Sequence, residues 1–404
     1  MNKATPGFLA LLLLLSLPAM TALAASPVGT NEASDPVLRQ VSTSQTTPTE
    51  VDGTTNRLQI AGDVRSETTA YRSDFGTMLA NADDELRIDH EQYTVVDDGF
   101  DDATTEERER LIRTAYKRLM ERADQLEQRE REAVREHAAG ERSTAELLQT
   151  LLRNYNEAEQ LSNSLTELEA RAAEVTGYSL PASRADVKTF NAHRTPVRDQ
   201  LEQRSERPSD NYHDVVISTS QTGYSLSVMD GSRYLVETTR FDNRDKTASA
   251  QFENREAFDH TMELYPWAGE HGKPYYQDNS PDHYWTEFVL GQDRLEIYLD
   301  SGTGSVYREI QELSVSSLPE ETAGTWTNDG LSIAVNETPA NGPIEVSVTE
   351  TGTDDPAPAT ISINGDVVGE TGEDGTLWIV PPAGDYEVTA ETGNRYISTT
   401  RIGS

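Results

Sequence analysis

Three of the chain's seven histidines lie in one aromatic stretch, His260–Trp285. His260, His271, Asp282 and His283 stand there among Tyr265, Trp267, Tyr275, Tyr276, Tyr284 and Trp285. Imidazole and carboxylate together can hold zinc, which makes His271, Asp282 and His283 the metal candidates, although their spacing fits no known site. Aromatics interleaved with polar residues also offer faces on which a sugar or peptide stacks. Trp267, Tyr275, Tyr276, Tyr284 and Trp285 are therefore the candidate ligand-binding residues. The competing expectation is a segment packed over a small α+β core, its rings buried for stability rather than offered to a ligand.

Other chemistry is thinner. Asp300, Asp354, Asp355, Asp366, Glu373 and Asp374 sit at turn-like positions where Ca²⁺ could bind. They lack EF-hand spacing, and Asp-Gly at a hairpin has its own conformational reason. No cofactor is expected, with calcium the alternative left open. The sequence holds no G-x-S-x-G, H-E-x-x-H, P-loop or dinucleotide glycine motif, and no cysteine nucleophile. No catalytic residue is assigned. Asn336-Glu337-Thr338 is the one N-x-S/T sequon, so Asn336 is the glycosylation candidate.

Charge bounds the setting. Asp and Glu number 70 against 34 Lys and Arg, a formal net charge of −36, and cysteine is absent. Only Lys3, Lys117, Lys188, Lys246 and Lys273 are lysine, so the other 29 cations are arginine. Such a surface repels itself at ordinary ionic strength. At molar salt the Debye length falls to roughly 3 Å and the repulsion fades. The composition resembles that of haloarchaeal proteins. A nucleic-acid partner is excluded on the same ground, since the surface repels phosphate.

Residues 1–25 read as a secretory signal. Lys3 is followed by the apolar run Phe8–Leu17, then Pro18 and Ala22-Leu23-Ala24, with cleavage after Ala24 or Ala25. The alternative is an uncleaved anchor, since Phe8–Ala25 is near the lower limit for spanning. That is the one membrane attachment the sequence offers. Secretion to the extracellular space or cell surface follows.

The remainder divides by composition into a multidomain α and β protein. Residues 26–56, rich in Ser, Thr, Pro and acid, are expected to be a disordered linker. Residues 57–207 read as a helical hairpin or coiled-coil-like bundle. Its long helix starts near Thr105, with an apolar stripe broken once, around Glu130. A second helix opens on the capping box Ser143-Thr144-Ala145-Glu146 and ends at Gly177. A third starts at Ser183–Asp186 and is interrupted near Pro196. Residues 209–318 read as a small α+β module, and 328–404 as an all-β sandwich of short strands at about ten-residue spacing.

Two resemblances enter here. The run YWTEFVLGQDRLEIYLDSGTGSVYREI, with Asp300, Thr303 and Gly304 forming an Asp-x-x-Thr-Gly turn, resembles a PepSY-type module over about 250–315. That family implies a small binding or inhibitory module attached to exported proteases or envelope proteins. Ala359, Gly369, Thr371, Asp374, Gly375, Pro382, Gly384, Tyr386 and Val388 follow the pattern of carboxypeptidase regulatory-like, transthyretin-like Ig domains. This second resemblance implies a spacer or adhesion-like module. The whole arrangement is similar to exported haloarchaeal proteins to which no activity is assigned. The expected function is a secreted, salt-adapted surface interaction protein without a catalytic site, its partner a protein or surface glycan of the envelope. A modulator of an exported protease and a hydrolase with an unrecognised site are the alternatives.

Overall fold

The computed structural model describes residues 37–41, 47–70, 75–92, 96, 98–180, 183–206, 214–253, 255–278, 280, 282–382 and 384–401. The expected signal segment lies outside them. The chain is a mixed α and β protein of several domains: a helical region, a large sheet, and a C-terminal sandwich of two four-stranded sheets.

The helices are α1 (Phe75–Gln92), α2 (Thr105–Ala138), α3 (Thr144–Ala173), α4 (Ser183–Asn191) and α5 (Pro196–Glu206). The long pair is set by local signals. Thr104 with Glu107 and Ser143 with Glu146 each form a complete capping box, satisfying amide groups that the first turn leaves without helical partners. Between the helices Gly140 adopts φ 77°, a left-handed turn that a side chain would strain. Ile112, Leu119 and Leu126 of α2 meet Leu161, Leu165 and Leu168 of α3 in one core, which Ile88 and Phe190 close from α1 and α4. Burying each such side chain is worth about 1.5–3 kcal/mol. Pro196 opens α5 instead of interrupting a helix, because proline at the first helical position gives up no intrahelical bond. Among the described residues no helix is long and apolar enough to cross a membrane.

Nine strands form the sheet: β1 (Val37–Val41), β2 (Gly62–Ala70), β3 (Asp214–Ser220), β4 (Gly223–Asp230), β5 (Arg233–Arg240), β6 (Lys273–Gln277), β7 (His283–Leu290), β8 (Asp293–Asp300) and β9 (Val306–Ser314). Their order is β1-β2-β3-β4-β5-β9-β8-β7-β6, with every pairing antiparallel. Alternation sets the two faces. Val215, Ile217, Tyr224, Leu226, Val228 and Leu235 pack under α2, α3 and α5. On the opposite face, α6 (Glu256–Leu264) and α7 (Pro266–His271) cover Phe288, Leu295, Ile297 and Val306.

The sheet corrects three sequence expectations. Residues 62–70 belong to a strand, not to the helical region, because β2 pairs along β3 from Arg65 opposite Thr219 to Ala70 opposite Asp214. The expected 26–56 linker is structured in part. Residues 37–41 pair with β2, and Val51, Thr54, Thr55 and Asn56 are buried. The 209–318 module shares its sheet with these N-terminal strands instead of standing alone.

The C-terminal sandwich comprises β10 (Glu321–Asn328), β11 (Leu331–Glu337), β12 (Ile344–Glu350), β13 (Thr360–Ile363), β14 (Asp366–Glu370), β15 (Thr376–Ile379), β16 (Tyr386–Thr392) and β17 (Arg395–Arg401). Strands β10-β11-β12-β15 face β14-β13-β16-β17 across a core that includes Ile333, Val335, Val346, Ile361 and Val388. Asn364 and Gly365 both have positive φ, 51° and 91°, as the tight turn from β13 to β14 requires.

Candidate functional site

The richest polar cluster is sealed between helices and sheet. Glu130 projects from the C-terminal third of α2, where the apolar stripe breaks, and is fully buried. Arg198 comes from the first turn of α5, Glu237 from β5, Tyr224 from β4 and Arg308 from β9. Arg198 Nη2 donates to Glu130 at 2.8 Å and its Nε to Glu237 at 3.0 Å. The Tyr224 hydroxyl lies 3.0 Å from a carboxylate oxygen of each glutamate. Arg308 donates to Glu130 as well, and Thr195, which caps α5, donates to Glu237. His193 Nδ1 is 3.1 Å from Glu130.

Burial pushes Glu130 up, but Arg198 and Arg308 overrule it and hold the carboxyl well below its usual range. Burial lowers His193. The cluster is therefore two carboxylates against two guanidiniums, neutral in sum, and built on arginine because a planar fork serves several acceptors at once. It bonds two helices to three strands. Apart from Arg308 Nε, which is buried without a partner, its groups are spent on one another, which makes it an internal brace.

Nearer the surface, Ser280, Asp282 and His283 have the residue types of a hydrolytic triad without its geometry. Ser280 Oγ lies 3.0 Å from His283 Nδ1, and Asp282 Oδ1 lies 2.8 Å from the same nitrogen. A relay needs the serine on one ring nitrogen and the carboxylate on the other. Arg244 binds Asp282 Oδ2 at 2.8 Å and Asp300 Oδ2 at 3.2 Å, with its guanidinium 4.1 Å from the Tyr307 ring centroid. Tyr307 is the extra residue of a β-bulge, since Tyr298 pairs with Arg308 and Leu299 with Val306. Asp300 also accepts from the amides of Gly302 (3.1 Å) and Thr303 (2.8 Å), so the Asp-x-x-Thr-Gly turn is a structural latch.

The candidate aromatics are divided by the pleat. On β7, Tyr284 joins the core under α6 and α7, while its neighbour Trp285 joins Tyr298 and Ile310 on the other face. Trp285 donates to Glu296 at 3.0 Å and carries Lys188 Nζ 3.4 Å above its ring. Tyr276 is half-buried and stacks on Tyr284 at 6.4 Å. Trp267 is half-buried and stacks on His271 at 4.4 Å. Tyr275 alone of the five is well exposed, at 56 %. The five are not one surface, because adjacent strand residues face opposite ways.

The metal candidates separate likewise: His271 binds the Trp267 carbonyl, while Asp282 and His283 bind each other. Among the described residues no group of three or more metal-ligating side chains is assembled. Asp300 is committed to Arg244 and the latch, and Asp374 accepts from Thr376 N at 3.1 Å. Asn336 Nδ2, the atom a glycan would use, donates to Glu345 at 3.0 Å.

A feature missed from sequence is the strap, residues 54–61, which crosses the sheet on the α6 side. Asn56 Nδ2 donates to the Leu264 carbonyl at 2.9 Å, and Gln311 Nε2 donates to the Asn56 carbonyl at 2.9 Å. Leu58 N donates to both oxygens of Glu309 at 3.0 Å, and Tyr265 donates to the same carboxyl. Burial nevertheless pushes Glu309 up to about 7. Beside the strap, the sheet and the sandwich border a partly open pocket of about 150 Å³, lined by Arg57, Val216, Ser227, Tyr234, Ile344 and Pro382 among others.

Fold and site together define a multidomain protein whose helices and strap are bonded into a sheet platform carrying an Ig-like sandwich. The chain belongs to the family described as Domain of unknown function (DUF7096), which matches residues 1–211. Residues 215–319 match the Family of unknown function (DUF7094), and residues 322–399 match the Archaeal fibronectin-III type-like domain. The sandwich expected from sequence is thus fibronectin-like. No curated protein matches the chain.

Proposed function

We propose that this is an exported, salt-adapted protein that works by binding at the cell surface, with the C-terminal sandwich as its spacer. The observation that carries this reading is Tyr275, exposed on β6, one of the two edge strands of the nine-stranded sheet. Lys273 and Pro274 precede it on that strand. Both residues blunt an edge against strand addition, which favours ring stacking on an envelope glycan or protein over backbone pairing. The apolar run Phe8–Leu17 supports export, and the charge of −36 supports a briny exterior. The test is retention of the full chain on isolated envelopes in multimolar salt. Tyr275→Asp should lose retention while keeping its circular dichroism. Equal retention of wild type and variant would remove Tyr275 from the reading, and turnover of ester, peptide or glycan by the pure chain would overturn it.

A second reading, modulation of an exported protease, is favoured by α6 and α7 packed over β7–β9 with the Asp300 latch at one end. It requires dose-dependent loss of that protease's activity, and an unchanged rate at excess chain would dismiss it.

A further inference from the structure

We propose that the arginine-lined groove between α1, α2 and α3 binds an extended saccharide bearing oxyanion groups, carboxylate or sulfate. Arg87 from α1, Arg118, Arg122 and Arg129 from α2, and Arg153 from α3 line an open pocket of about 400 Å³. Asp84, Glu121 and Glu157 line it too, so five guanidiniums face three carboxylates. Asp83, which takes Arg87 Nε at 2.7 Å, does not reverse that excess. Over the whole chain acid outnumbers base by 70 to 34, and this groove inverts the balance.

The helices set the arrangement. Arg118, Arg122, Gln125 and Arg129 stand at i, i+4, i+7 and i+11 of α2, one row about 16 Å long. Arginines four apart repel each other, so the helix gains nothing from the row itself. Carboxylates on the floor hold the forks in place. Glu157 is buried and accepts Arg122 Nη1 at 2.9 Å and Arg129 Nη2. Asp84, also buried, accepts Nε and Nη2 of Arg153. Among the described residues these bonds leave Nη1 of Arg129, Nη1 of Arg153 and both Nη atoms of Arg87 without a hydrogen-bond partner in the protein. Arg118 is exposed and makes no hydrogen bond or ion pair among those residues. A ligand reaches these groups: side-chain exposure is 28 % at Arg129, 37 % at Arg153 and 66 % at Arg87.

The donors and the lining set the ligand class. Guanidinium forks pair with the two oxygens of an oxyanion, and forks already held in place lose little freedom on binding. At molar salt charge acts over only about 3 Å, so contact hydrogen bonds must hold the ligand. The row exceeds the size of one such group, which calls for several spaced along an extended molecule. Among the described residues the lining is charged apart from the Gln125 amide. It gives an apolar side chain nothing to pack on and a nucleobase no ring to stack on. Sugar hydroxyls are met by Gln125 and by the floor carboxylates. The groove stands apart from Tyr275 and does not rest on it.

The test is fluorescence anisotropy of labelled trigalacturonate and of a labelled dextran sulfate fragment with the full chain in multimolar sodium chloride. Saturable binding of at least one is expected, displaced by its unlabelled form and not by neutral dextran, and the tighter probe tells carboxylate from sulfate. Arg87→Gln with Arg118→Gln removes two guanidiniums that hold no buried partner and should weaken binding about tenfold while leaving circular dichroism unchanged. Arg113→Gln, exposed on α2 but off the row, should leave affinity as it is. Failure of both probes to saturate, equal affinity in the double variant, or an equal loss in Arg113→Gln would overturn the proposal. Displacement by oligoglutamate as readily as by the unlabelled saccharide would overturn the saccharide class.

Discussion

Glu130→Gln is the sharpest test of the buried brace. The substitution keeps the shape of the side chain and removes one charge. Glu130 receives Arg198 Nη2 at 2.8 Å and the Tyr224 hydroxyl at 3.0 Å, with Arg308 and His193 on the same carboxylate. In the variant two guanidiniums face one remaining carboxylate, Glu237, and a net positive charge is left where water does not reach. Breaking a buried pair in this way costs about 3–5 kcal/mol. The assay is urea unfolding in multimolar sodium chloride, followed by far-ultraviolet circular dichroism and tryptophan fluorescence together, because coincident curves license a two-state free energy. Adding Arg308→Met restores neutrality, so the double variant should be less unstable than the sum of the singles, with a coupling of about 0.5–3 kcal/mol. A Glu130→Gln cost under about 1 kcal/mol, or strict additivity, would refute the claim that charge balance holds helices to sheet.

Three further outcomes follow from the same structure. Glu309 is raised from 4.5 to about 7 by burial, so its stabilisation is complete below the unfolded value and is lost as pH rises through about 7. The gap is worth roughly 3 kcal/mol; Glu309→Gln should flatten urea midpoints between about pH 5 and 8, and an equal slope in variant and wild type would contradict this. Ser143→Ala removes the cap that accepts from Glu146 N at 3.3 Å and should cost about 1 kcal/mol, read by the same unfolding curves, with no change refuting the cap's role. Dilution from molar salt to about 10 mM, where the Debye length is ~30 Å, should unfold a chain of charge −36, and undiminished circular dichroism would end the brine reading.

What the sequence made legible was local. The α2–α3 hairpin rests on spacing and on Ser143 with Glu146, three residues apart, so a short window sufficed to find it. The strands β3–β5 and β7–β9 carry their own alternation and turn signals. Strand β2 does not: Arg65-Ser66-Glu67-Thr68-Thr69 becomes a strand by pairing with β3, about 150 residues away in sequence. The strap is hidden for the same reason, since Asn56 finds its acceptor at Leu264. Residues 54–56 read as the end of the linker and 57–61 as the start of the helical region until those partners are known.

Within the candidate site, part of what sequence reasoning missed was present in the pattern. The break in the apolar stripe at Glu130 marked the brace, because a charged residue on a buried helix face needs a counter-charge that the helix itself cannot supply. Tyr284 and Trp285 were grouped as one ligand surface by proximity in sequence, yet on a strand that proximity separates them. Proximity misleads in a second way at Ser280, Asp282 and His283, which meet at one imidazole nitrogen where catalysis would need two. Residue types nominate a site, but the period of the element beneath them decides whether they share a face.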